Sequence, residues 1–431
     1  MKSIGIGLAG FGTVGSGVWK NLTENAALIS GRLGVQMDVK KIAVRDLTKK
    51  RGVVAPAQLF TDSWREMLDD PAVEIVVELI GGTDEARELV LASIDAGKIV
   101  VTGNKALLAE QGKEIFQYAR EKKVPIFYEA AVAGGIPIIK ALRESFVGNR
   151  FESIQGILNG TSNYILTRME EAGLDFSEAL AEAQKLGYAE ADPALDVNGW
   201  DAAHKAIIIA SIAFGKWVEA DRTYVAGIEG VTSADIRFAK QLGFRIKLLG
   251  TIRAREDRSV EVRVCPTLIP QGHVLASVGG VFNAIWLNGD VAGESLFYGR
   301  GAGQDPTASS VLSDLADAVG ALKNPCRCFG FTGFDLYDEY VSPDEAVSQF
   351  YLRLSVEDRP GVLAQIAGLL GAGNIGISSV IQPEGKEGDA LPLILILHYA
   401  PQGKVVEALK KIEKLDCVKA SPVLMHVEEF E

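Results

Sequence analysis

The sequence predicts an α/β chain with a parallel sheet covered by helices, then a mixed α+β domain, then a smaller βαββαβ unit. Three observations predict this order. Short apolar runs alternate with helical patterns through the first third, strands of a different character accompany helices in the middle, and six alternating elements form the last part. A chain of 431 residues has room for two or three domains of about 150 residues each.

Five apolar runs in the first third predict the strands of the parallel sheet. The strands are expected at residues 4–9, 39–44, 75–80, 99–102 and 126–128, and the helices from about residue 14, at 84–96 and at 112–122. Strands buried on both faces of a sheet are rich in Val, Ile and Leu, and the runs at 75–80 and 99–102 have this composition most clearly. We therefore assign residues 1–135 to the first domain.

The middle of the chain, residues 136–340, predicts an α+β domain. Helices are expected at residues 176–186 and 201–214, and strands of an antiparallel or mixed sheet at 247–254, 260–265 and 291–297. A long helical pattern follows at residues 305–322, and we expect this helix to pack back on the first domain.

Residues 348–431 have the order β-α-β-β-α-β, which is the ferredoxin-like arrangement. The strands are expected at residues 350–356, 377–381, 393–399 and 423–427, and the helices at 362–370 and 405–412. The linker before this unit is expected near residues 340–347, where Ser342, Pro343 and Asp344 interrupt the pattern. Residues 383–389 predict an exposed loop.

Composition and charge exclude several classes of protein. Hydrophobic residues make up 48% of the chain and charged residues 23%, as in ordinary globular proteins. The formal net charge of −12 would repel nucleic-acid phosphates, which excludes a general nucleic-acid binder. Because of this negative charge, any anionic ligand must be held by a local cluster of donors. No apolar run approaches the roughly 18 residues that a membrane span needs.

Cysteine usage and the first residues predict a cytoplasmic protein. Cys265, Cys326, Cys328 and Cys417 are too few in so long a chain for a disulfide framework, and we expect reduced thiols. Cys326 and Cys328 could supply half of a metal site, but no His or Cys cluster lies near them in sequence. Glycines alternate with apolar residues at the start, which predicts a strand and turn rather than the helical core of a secretory signal.

A glycine-rich turn follows the first strand, with the sequence Gly10-Phe11-Gly12-Thr13-Val14-Gly15. The pattern G-x-G-x-x-G between a strand and a helix is the signature of a Rossmann-type dinucleotide site. The first glycine permits the tight turn, the second lets the backbone approach a pyrophosphate, and the third allows close helix–strand packing. The helix N-terminus then offers unpaired N–H groups to the phosphates. A glycine-rich turn without a ligand is the alternative.

The end of the second strand decides between the two nicotinamide cofactors. NAD sites usually have Asp or Glu there, which accepts a hydrogen bond from the ribose 2′-hydroxyl. Here Arg45 follows the strand, with Lys49, Lys50 and Arg51 close behind, and a guanidinium matches a 2′-phosphate bidentately. The sequence therefore favours NADP. The neighbouring Asp46 keeps NAD open, and a solvated basic turn is the alternative without a ligand.

Two lysines are candidates for the chemistry. Lys105 lies just beyond the carboxyl end of a predicted strand, where parallel sheets bind ligands, although an ordinary surface lysine is the alternative. Lys205 lies four residues after Asp201, so both share one face of a predicted helix. Nearby carboxylates favour the ammonium form of a lysine, which could then donate a proton to a carbonyl oxygen as hydride reaches the carbon.

An excess of acids precedes Lys205. Glu190, Asp192, Asp196 and Asp201 lie within twelve positions of one another. Such a set suits a substrate that carries an ammonium group. Acids are also common at helix N-termini because they interact favourably with the helix dipole, and this alternative needs no substrate.

Six stretches of the chain resemble the homoserine dehydrogenases. They are residues 10–15, 76–82, 102–108, 128–139, 156–169 and 186–205, in that order. The run GILNGTSNY at residues 156–164 and the run at 187–205 are highly specific to this family, while Gly103 stands where the family more often has Ala. Residues 348–431, with DRPGVL at 358–363, resemble an ACT domain, which occurs on the long bacterial members. The resemblance thus covers essentially the whole chain.

The resemblance implies NAD(P)-dependent interconversion of L-aspartate 4-semialdehyde and L-homoserine, a step towards threonine, isoleucine and methionine. It implies that Lys205 is the proton donor and that Lys105 lies between nicotinamide and substrate. Glu190 matches the residue that binds the substrate amino group, and Asp201 matches a carboxylate of the same pocket. Gly303 lies in a glycine turn that the family brings back to the cofactor.

The resemblance also implies a sodium site, an effector and an oligomer. Glu129, Val132, Gly134 and Ile136 match the family's Na⁺ site, which is supplied mainly by backbone carbonyls. ACT domains commonly bind small amino acids after their first strand, and threonine, the end product, is the natural effector. An oligomerisation module without an effector is the alternative. Both the family and the ACT domain imply a homodimer or homotetramer.

Two other classes of protein are alternatives. An aspartate-semialdehyde dehydrogenase acts on the same aldehyde but requires a nucleophilic cysteine, and no cysteine here has an activating base nearby in sequence. A non-catalytic, amino-acid-sensing regulator would be supported by loss of the key lysines, whereas Lys105 and Lys205 are both present.

Overall fold

The structure is a computed structural model that describes residues 2–324, 331, 333–383 and 390–430. Cys326, Cys328 and all but the first residue of the predicted loop at 383–389 lie outside the described residues. The chain divides into two compact units. The first comprises Met1–Phe151, His204–Ala220 and Leu287–Tyr337, and the second Glu152–Ala203, Asp221–Trp286 and Asp338–Glu431. The domain boundaries expected from the sequence stay a prediction.

The strands and helices of the described residues follow one another as the sequence alternates. The strands are β1 (Ser3–Ala9), β2 (Gln36–Ala43), β3 (Phe60–Thr61), β4 (Ile75–Glu78), β5 (Ile99–Thr102), β6 (Ile126–Phe127), β7 (Phe151–Ile157), β8 (Thr223–Val225), β9 (Phe244–Ala254), β10 (Val260–Pro270), β11 (Phe282–Gly289), β12 (Gly293–Arg300), β13 (Val347–Glu357), β14 (Ile377–Ile381), β15 (Ala390–Pro401) and β16 (Val418–Val427). The helices are α1 (Thr13–Glu24), α2 (Ala26–Leu33), α3 (Trp64–Asp69), α4 (Asp84–Asp95), α5 (Lys105–Lys122), α6 (Ile138–Lys140), α7 (Gly160–Ala172), α8 (Phe176–Lys185), α9 (Ala194–Val197), α10 (Trp200–Phe214), α11 (Ser233–Gln241), α12 (Gln304–Lys323), α13 (Val362–Ala372) and α14 (Gln402–Ile412). No helix among the described residues is long and apolar enough to cross a membrane.

The first unit contains a six-stranded parallel sheet with the order β3-β2-β1-β4-β5-β6. This is the doubly wound order of dinucleotide-binding folds, and the Rossmann-type prediction is confirmed. The order reverses at β1, and open parallel sheets bind ligands at the carboxyl ends of their strands beside such a reversal. The glycine turn of residues 10–15 therefore lies at the position where a dinucleotide binds.

Helices cover both faces of this sheet, and its central strands β1, β4 and β5 are accordingly mostly apolar and buried. On one face, side chains of β1 pack with those of α1 and α12, including Leu8, Val18 and Leu315. On the other face, Trp64 and Met67 of α3 pack with α4. The helix α12, far from the glycine turn in sequence, is thus part of the core of the first unit.

The sheet of the second unit is mixed, with the order β11-β7-β9-β10-β16-β13-β15-β14 and β8 beside β10. Its last four strands are the fourth, first, third and second strands of the βαββαβ unit, so the ferredoxin-like prediction is confirmed. β16 pairs antiparallel with β13 and parallel with β10. The βαββαβ unit therefore shares one continuous sheet with the preceding α+β part.

The strand predicted at residues 291–297 is β12, which the structure places slightly later, from Gly293 to Arg300. Residues 291 and 292 belong to the turn after β11, and Gly293, the first residue of β12, has φ of +68°. The Gly289-Asp290 pair is the turn signal, and β11, an apolar run before it, received no prediction. The elements β7, α7 and α11 were also missed. α7 begins with Gly160, a poor helix former, and forms because of contacts from other parts of the chain.

Candidate functional site

Each glycine of the turn between β1 and α1 has its own structural reason. Gly10 has φ of +97°, and a Cβ there would lie 2.4 Å from the carbonyl oxygen of Leu79. A Cβ on Gly15 would lie 2.1 Å from the carbonyl oxygen of Gly10, so turn and helix pack too closely for a side chain. Gly12 precedes α1, and a Cβ there would meet nothing within 4 Å. This open space in front of a helix N-terminus suits a phosphate group.

The other residues of the glycine turn differ in burial. Phe11 is buried and packs edge-on against Phe60, with 5.3 Å between the ring centroids. Thr13 is exposed and Val14 is half-buried at the start of α1. Phe11 thus anchors the turn to the sheet, while its two successors present backbone N–H groups at the helix start.

Gly303 lies beside the glycine turn although it is almost 300 positions away in sequence. It precedes α12 with φ of +127°, a backbone conformation that favours glycine. The next residue, Gln304, donates a hydrogen bond from Nε2 to Oγ of Ser16, at 3.0 Å. A Cβ on Gly17 would lie 2.8 Å from Cγ of Gln304, so α1 and α12 approach closely. The first turns of both helices therefore lie side by side in the first unit.

Arg45 lies just past β2 and is mostly exposed. Its Nε and Nη2 atoms donate to one oxygen of Glu85, at 3.2 and 3.0 Å, and its side chain is 73% exposed. Asp46 faces its own turn instead: Oδ1 accepts from the hydroxyl and the backbone N–H of Thr48, at 2.6 and 2.7 Å. These bonds hold the pKa of Asp46 below its usual range. The Asp46 carboxylate is therefore hydrogen-bonded within its own turn, whereas most of the Arg45 side chain faces water.

Asn104 fixes the start of α5 and thereby places Lys105. Its Oδ1 accepts from the backbone N–H of Leu107, at 3.2 Å, which caps the helix. Its Nδ2 donates to the carbonyl oxygen of Gly82, at 2.7 Å. Lys105, the first residue of α5, is half-buried.

A buried glutamate that sequence reasoning missed joins the ends of β4 and β5. Glu78 accepts from the hydroxyl of Thr102 at 2.5 Å and from the backbone N–H of Ile80 at 2.9 Å. The Thr102 hydroxyl in turn accepts from the backbone N–H of Asn104, at 3.1 Å. Burial raises the pKa of Glu78. The signal was present in the sequence, since one acid interrupts an otherwise apolar strand.

The predicted cation loop from Glu129 to Ile136 is buried almost throughout. The Glu129 carboxylate accepts from the backbone N–H groups of Ile139 and Lys140, at 2.9 and 2.7 Å, and burial raises its pKa to about 6. Within the described ranges, no group of three or more His, Cys, Asp or Glu could hold a metal ion. A cation in this loop would therefore depend on backbone carbonyls rather than on carboxylates.

The backbone of the same loop is irregular. Ala133 and Gly134 have φ of +54° and +51°, and a Cβ on Gly134 would lie 2.5 Å from the carbonyl of Gly301. The carbonyl oxygen of Gly134 accepts from the hydroxyl of Ser310, and that of Ile136 from the backbone N–H of Ile138. Such a loop leaves carbonyl lone pairs that a regular helix would use, and Val132 is buried beside them. The residues fit an oxygen-ligated cation.

In the second unit, Asn159 joins two of the candidate acids. Its Nδ2 donates to Oδ1 of Asp196 at 2.7 Å and to Oδ2 of Asp201 at 2.8 Å. Its Oδ1 accepts from the backbone N–H of Ser162, at 2.7 Å, and caps α7. One buried amide therefore both starts a helix and holds two carboxylates that lie about 40 positions away. Sequence reasoning used Asn159 only as part of a family motif.

The loop that carries the other acids is attached to the same helix. Thr161 donates from Oγ1 to the carbonyl oxygen of Tyr188 at 2.8 Å, and Ser162 donates from Oγ to that of Asp196 at 2.7 Å. Glu190 is exposed, two residues beyond Tyr188. The loop from Tyr188 to Asp196 is thus held against the start of α7 with the Glu190 side chain towards solvent.

Asp201 and Lys205 lie one turn apart near the start of α10, as the sequence predicted. Asp201 is half-buried, and Lys205 is 8% exposed. The residues that follow are almost wholly apolar and buried. A lysine that is buried one helical turn from a carboxylate does not have the environment of a solvated surface lysine.

The described cysteines do not support a thiol nucleophile. Cys265 and Cys417 are both buried, and burial raises the pKa of Cys265 to about 11. The reactive form of a cysteine is the thiolate, which such a site disfavours. This part of the structure therefore opposes the alternative of a thioester-forming dehydrogenase.

Comparisons with known proteins show which family the chain resembles. The model of the homoserine dehydrogenase family matches residues 137–316, and that of the homoserine dehydrogenase NAD-binding domain matches residues 10–129. The chain is 47% identical to a homoserine dehydrogenase of Pseudomonas aeruginosa over 436 aligned positions, which cover 100% of both chains.

Two solved structures are also similar. The crystal structure of a homoserine dehydrogenase from Thiobacillus denitrificans has a TM-score of 0.92 and 44% identity, covering 100% of this chain and 99% of that one. A hyperthermophilic archaeal homoserine dehydrogenase in complex with NADPH has a TM-score of 0.64 and 28% identity, covering 74% of this chain and 98% of that one.

Proposed function

The chain belongs to the homoserine dehydrogenase family of NAD(P)-dependent oxidoreductases, and we propose that it interconverts L-aspartate 4-semialdehyde and L-homoserine with Lys205 as proton donor and NADP as preferred coenzyme. The observation that carries this proposal is the helix α10, which has Asp201 and the buried Lys205 one turn apart. Asn159 holds Asp201 in place by a hydrogen bond.

Reduction of an aldehyde to an alcohol needs a hydride at the carbon and a proton at the oxygen. NADPH, when bound, would supply the hydride. The Lys205 ammonium would give its proton to the oxygen, and in the reverse direction the Lys205 amine would accept the proton of the homoserine hydroxyl. Lys105 would lie between nicotinamide and substrate and polarise the site.

The substrate also carries an ammonium group, which the acids would bind. Glu190 would bind this group directly, and Asp201 would contribute a carboxylate to the same pocket. Asn159 has Asp196 and Asp201 as hydrogen-bond acceptors, so these carboxylates are oriented without a substrate. Such preorganisation lowers the cost of binding a small, charged substrate.

The cofactor would be held by the glycine turn and by Arg45. Gly12 leaves open space for a pyrophosphate in front of α1, with Gly10, Gly15 and Gly303 shaping the surrounding backbone. The exposed Arg45 guanidinium would exchange its Glu85 partner for the 2′-phosphate of NADP. The carboxylate of Asp46 is already bonded to Thr48, which disfavours its use for the 2′-hydroxyl of NAD.

Replacing Arg45 by alanine is expected to lower kcat/KM for NADPH by about 10- to 100-fold, because hydrogen bonds to charged groups contribute about 1.5–3 kcal/mol. The value for NADH should change little, since NADH has no 2′-phosphate. Initial rates with aspartate 4-semialdehyde at varied coenzyme concentration measure both values.

The matched control for this substitution is Arg65→Ala. Arg65 is similarly exposed in the same unit and pairs with Glu88 at 3.3 Å, so its loss removes an equal charge away from the glycine turn. Equal losses with NADPH and NADH in Arg45→Ala, or the same NADPH loss in Arg65→Ala, would contradict a role for Arg45 in coenzyme choice.

A sodium ion would be bound by the loop at Glu129, Val132, Gly134 and Ile136. The irregular backbone and the commitment of the Glu129 carboxylate to α6 support ligation by carbonyls. The ion would stabilise the loop, which follows β6 at the carboxyl end of the sheet.

The βαββαβ unit would bind threonine as a feedback effector, near residues 358–362 after β13. In support, this loop ends at the N-terminus of α13, where Gly361 has φ of +92° and the first backbone N–H groups of the helix have no acceptor within it. Isothermal titration calorimetry of threonine into the intact protein is expected to show saturable heat. Serine, titrated in the same way, is the matched control ligand. Absence of heat with threonine would leave the unit as an oligomerisation module.

A homodimer or homotetramer and a cytoplasmic location complete the proposal. The assembly rests on the family and on the βαββαβ unit, and the location rests on cysteines expected to stay reduced, of which Cys265 and Cys417 are buried. Light scattering of the purified protein would give the mass of the assembly.

A further inference from the structure

The segment between Val278 and Asn283 covers the start of α7, next to its capping residue Asn159. A Cβ on Gly160 would lie 2.7 Å from the carbonyl oxygen of Val281, so this segment lies directly on the first turn of the helix. Asn283 donates from Nδ2 to the carbonyl oxygen of Leu158 at 2.9 Å. The position of the helix start therefore depends on the position of this segment.

Asn163 attaches the same segment one turn further along α7. Its buried Nδ2 has three backbone carbonyl acceptors, at 3.3 Å for Val278, 3.0 Å for Gly280 and 3.1 Å for Phe282. An amide nitrogen has two hydrogens, so the three carbonyls share them. One side chain thus contacts three carbonyls of this segment.

Lys247 of β9 contacts both Asn163 and the 278–283 segment. Its Nζ donates to the carbonyl oxygen of Val278 at 2.7 Å and to Oδ1 of Asn163 at 3.3 Å, and the residue is 3% exposed. Burial lowers the pKa of Lys247 to about 8. A lysine is rarely buried unless it is paired with a carboxylate, whereas the two acceptors of Lys247 are an amide oxygen and a backbone carbonyl. The location of this lysine has a cost in stability, which indicates a gain elsewhere.

We infer that Lys247 is a positioning residue of the dehydrogenase, which orients the substrate-binding carboxylates through Asn163, α7 and Asn159. Lys247 fixes the amide of Asn163, because a carbonyl oxygen that accepts from Lys247 cannot exchange places with the amide nitrogen. The oriented amide holds the 278–283 segment on α7. The first turn of α7 then presents Asn159 to Asp201 at 2.8 Å. This inference rests on the proposed function, in which Asp201 belongs to the substrate pocket.

The role requires a hydrogen-bond donor rather than a charge. A neutral lysine amine keeps two N–H groups, enough for both acceptors. The contribution of Lys247 should therefore persist in either protonation state. A methionine at this position keeps the length of the side chain and removes the donors.

The test compares Lys247→Met with the control Arg245→Met in homoserine oxidation. Arg245 lies two residues earlier on β9, donates to the carbonyl oxygen of Ala276 at 3.1 Å and pairs with Glu170 of α7 at 3.1 Å. Its loss therefore removes another contact between β9 and α7 while the Asn163 amide keeps its partners. Lys247→Met is expected to raise KM for homoserine by about 10- to 100-fold, because small displacements of positioning groups have effects of this size. KM for NADP⁺ should stay near that of the unchanged protein, as should both constants of Arg245→Met.

Asn159→Ala serves as the reference for this effect. If Lys247 acts through Asn159, both variants raise KM for homoserine, and the double variant is no worse than Asn159→Ala alone. A Lys247→Met variant that folds, judged by its melting curve, and keeps its KM for homoserine would overturn the inference. Equal increases of KM for homoserine and for NADP⁺ would also overturn it, since that pattern indicates general destabilisation.

Should Lys247→Met not fold, Asn163→Ala carries the test. It removes the amide that Lys247 orients and leaves the Lys247 bond to Val278 in place. An unchanged KM for homoserine in that variant would overturn the inference. If the protein without any substitution is inactive on homoserine, the proposed function is contradicted instead. Failure of the inference and failure of the proposed function are therefore distinguishable.

Discussion

Replacing Lys205 by alanine is expected to lower kcat for homoserine oxidation by about 10²- to 10⁴-fold, the usual contribution of a positioned general acid or base. Lys205 is 8% exposed and one turn from Asp201, so most of its side chain is shielded from solvent. Binding of NADPH should be nearly unchanged, because the glycine turn and Arg45 are intact. Single-turnover and steady-state rates, together with a fluorescence titration of NADPH, measure these quantities.

Two further variants separate chemistry from packing. Lys205→Met keeps most of the buried volume and should lose as much activity as Lys205→Ala, because both lack the proton. Lys185→Ala removes an exposed lysine from α8 and should keep full activity. Loss of NADPH binding in Lys205→Ala, or near-normal turnover in Lys205→Met, would remove Lys205 from the catalytic role.

Replacing Asp235 by alanine is expected to lower the free energy of unfolding by about 3–5 kcal/mol, because it leaves a largely buried charge without its partner. Asp235 is fully buried and forms the capping box of α11 with Thr232. It also accepts from Nε of Arg353 at 2.6 Å and from the hydroxyl of Tyr351 at 2.8 Å. Chemical denaturation followed by circular dichroism gives the loss.

The matched control is Asp338→Ala in the same unit. Asp338 pairs with Arg258 at 3.2 Å, and both side chains are more than half exposed, so at most about 1 kcal/mol should be lost. A similar small loss in both variants would show that Asp235 does not hold β13 and α11 together. A large loss in Asp235→Ala alone would establish that the βαββαβ unit depends on the α+β part for its stability.

Local patterns predicted the fold of the first unit because its strands and turns depend on nearby residues. The glycine turn has a fixed spacing, and strands buried on both faces need apolar side chains at most positions. Helix α7 could not be predicted in this way. Its first residues are poor helix formers, and their conformation depends on Asn159 and on the segment at 278–283, more than 100 positions away.

The candidate site shows the same limit. The spacing of Asp201 and Lys205 on one helix was visible in the sequence and is present in the structure. The hydrogen bonds from Asn159 to Asp196 and Asp201 were not, because they join residues about 40 positions apart through tertiary structure. For the same reason, no pattern indicated that β16 would pair with β10 and extend the sheet of the α+β part.

The most direct test of the central claim is the oxidation of NADPH by the purified protein with L-aspartate 4-semialdehyde, measured in parallel with NADH. Rapid loss of NADPH absorbance is expected, with one L-homoserine formed for each NADPH consumed and slower turnover with NADH. A folded protein that binds NADPH but consumes neither coenzyme would contradict the claim.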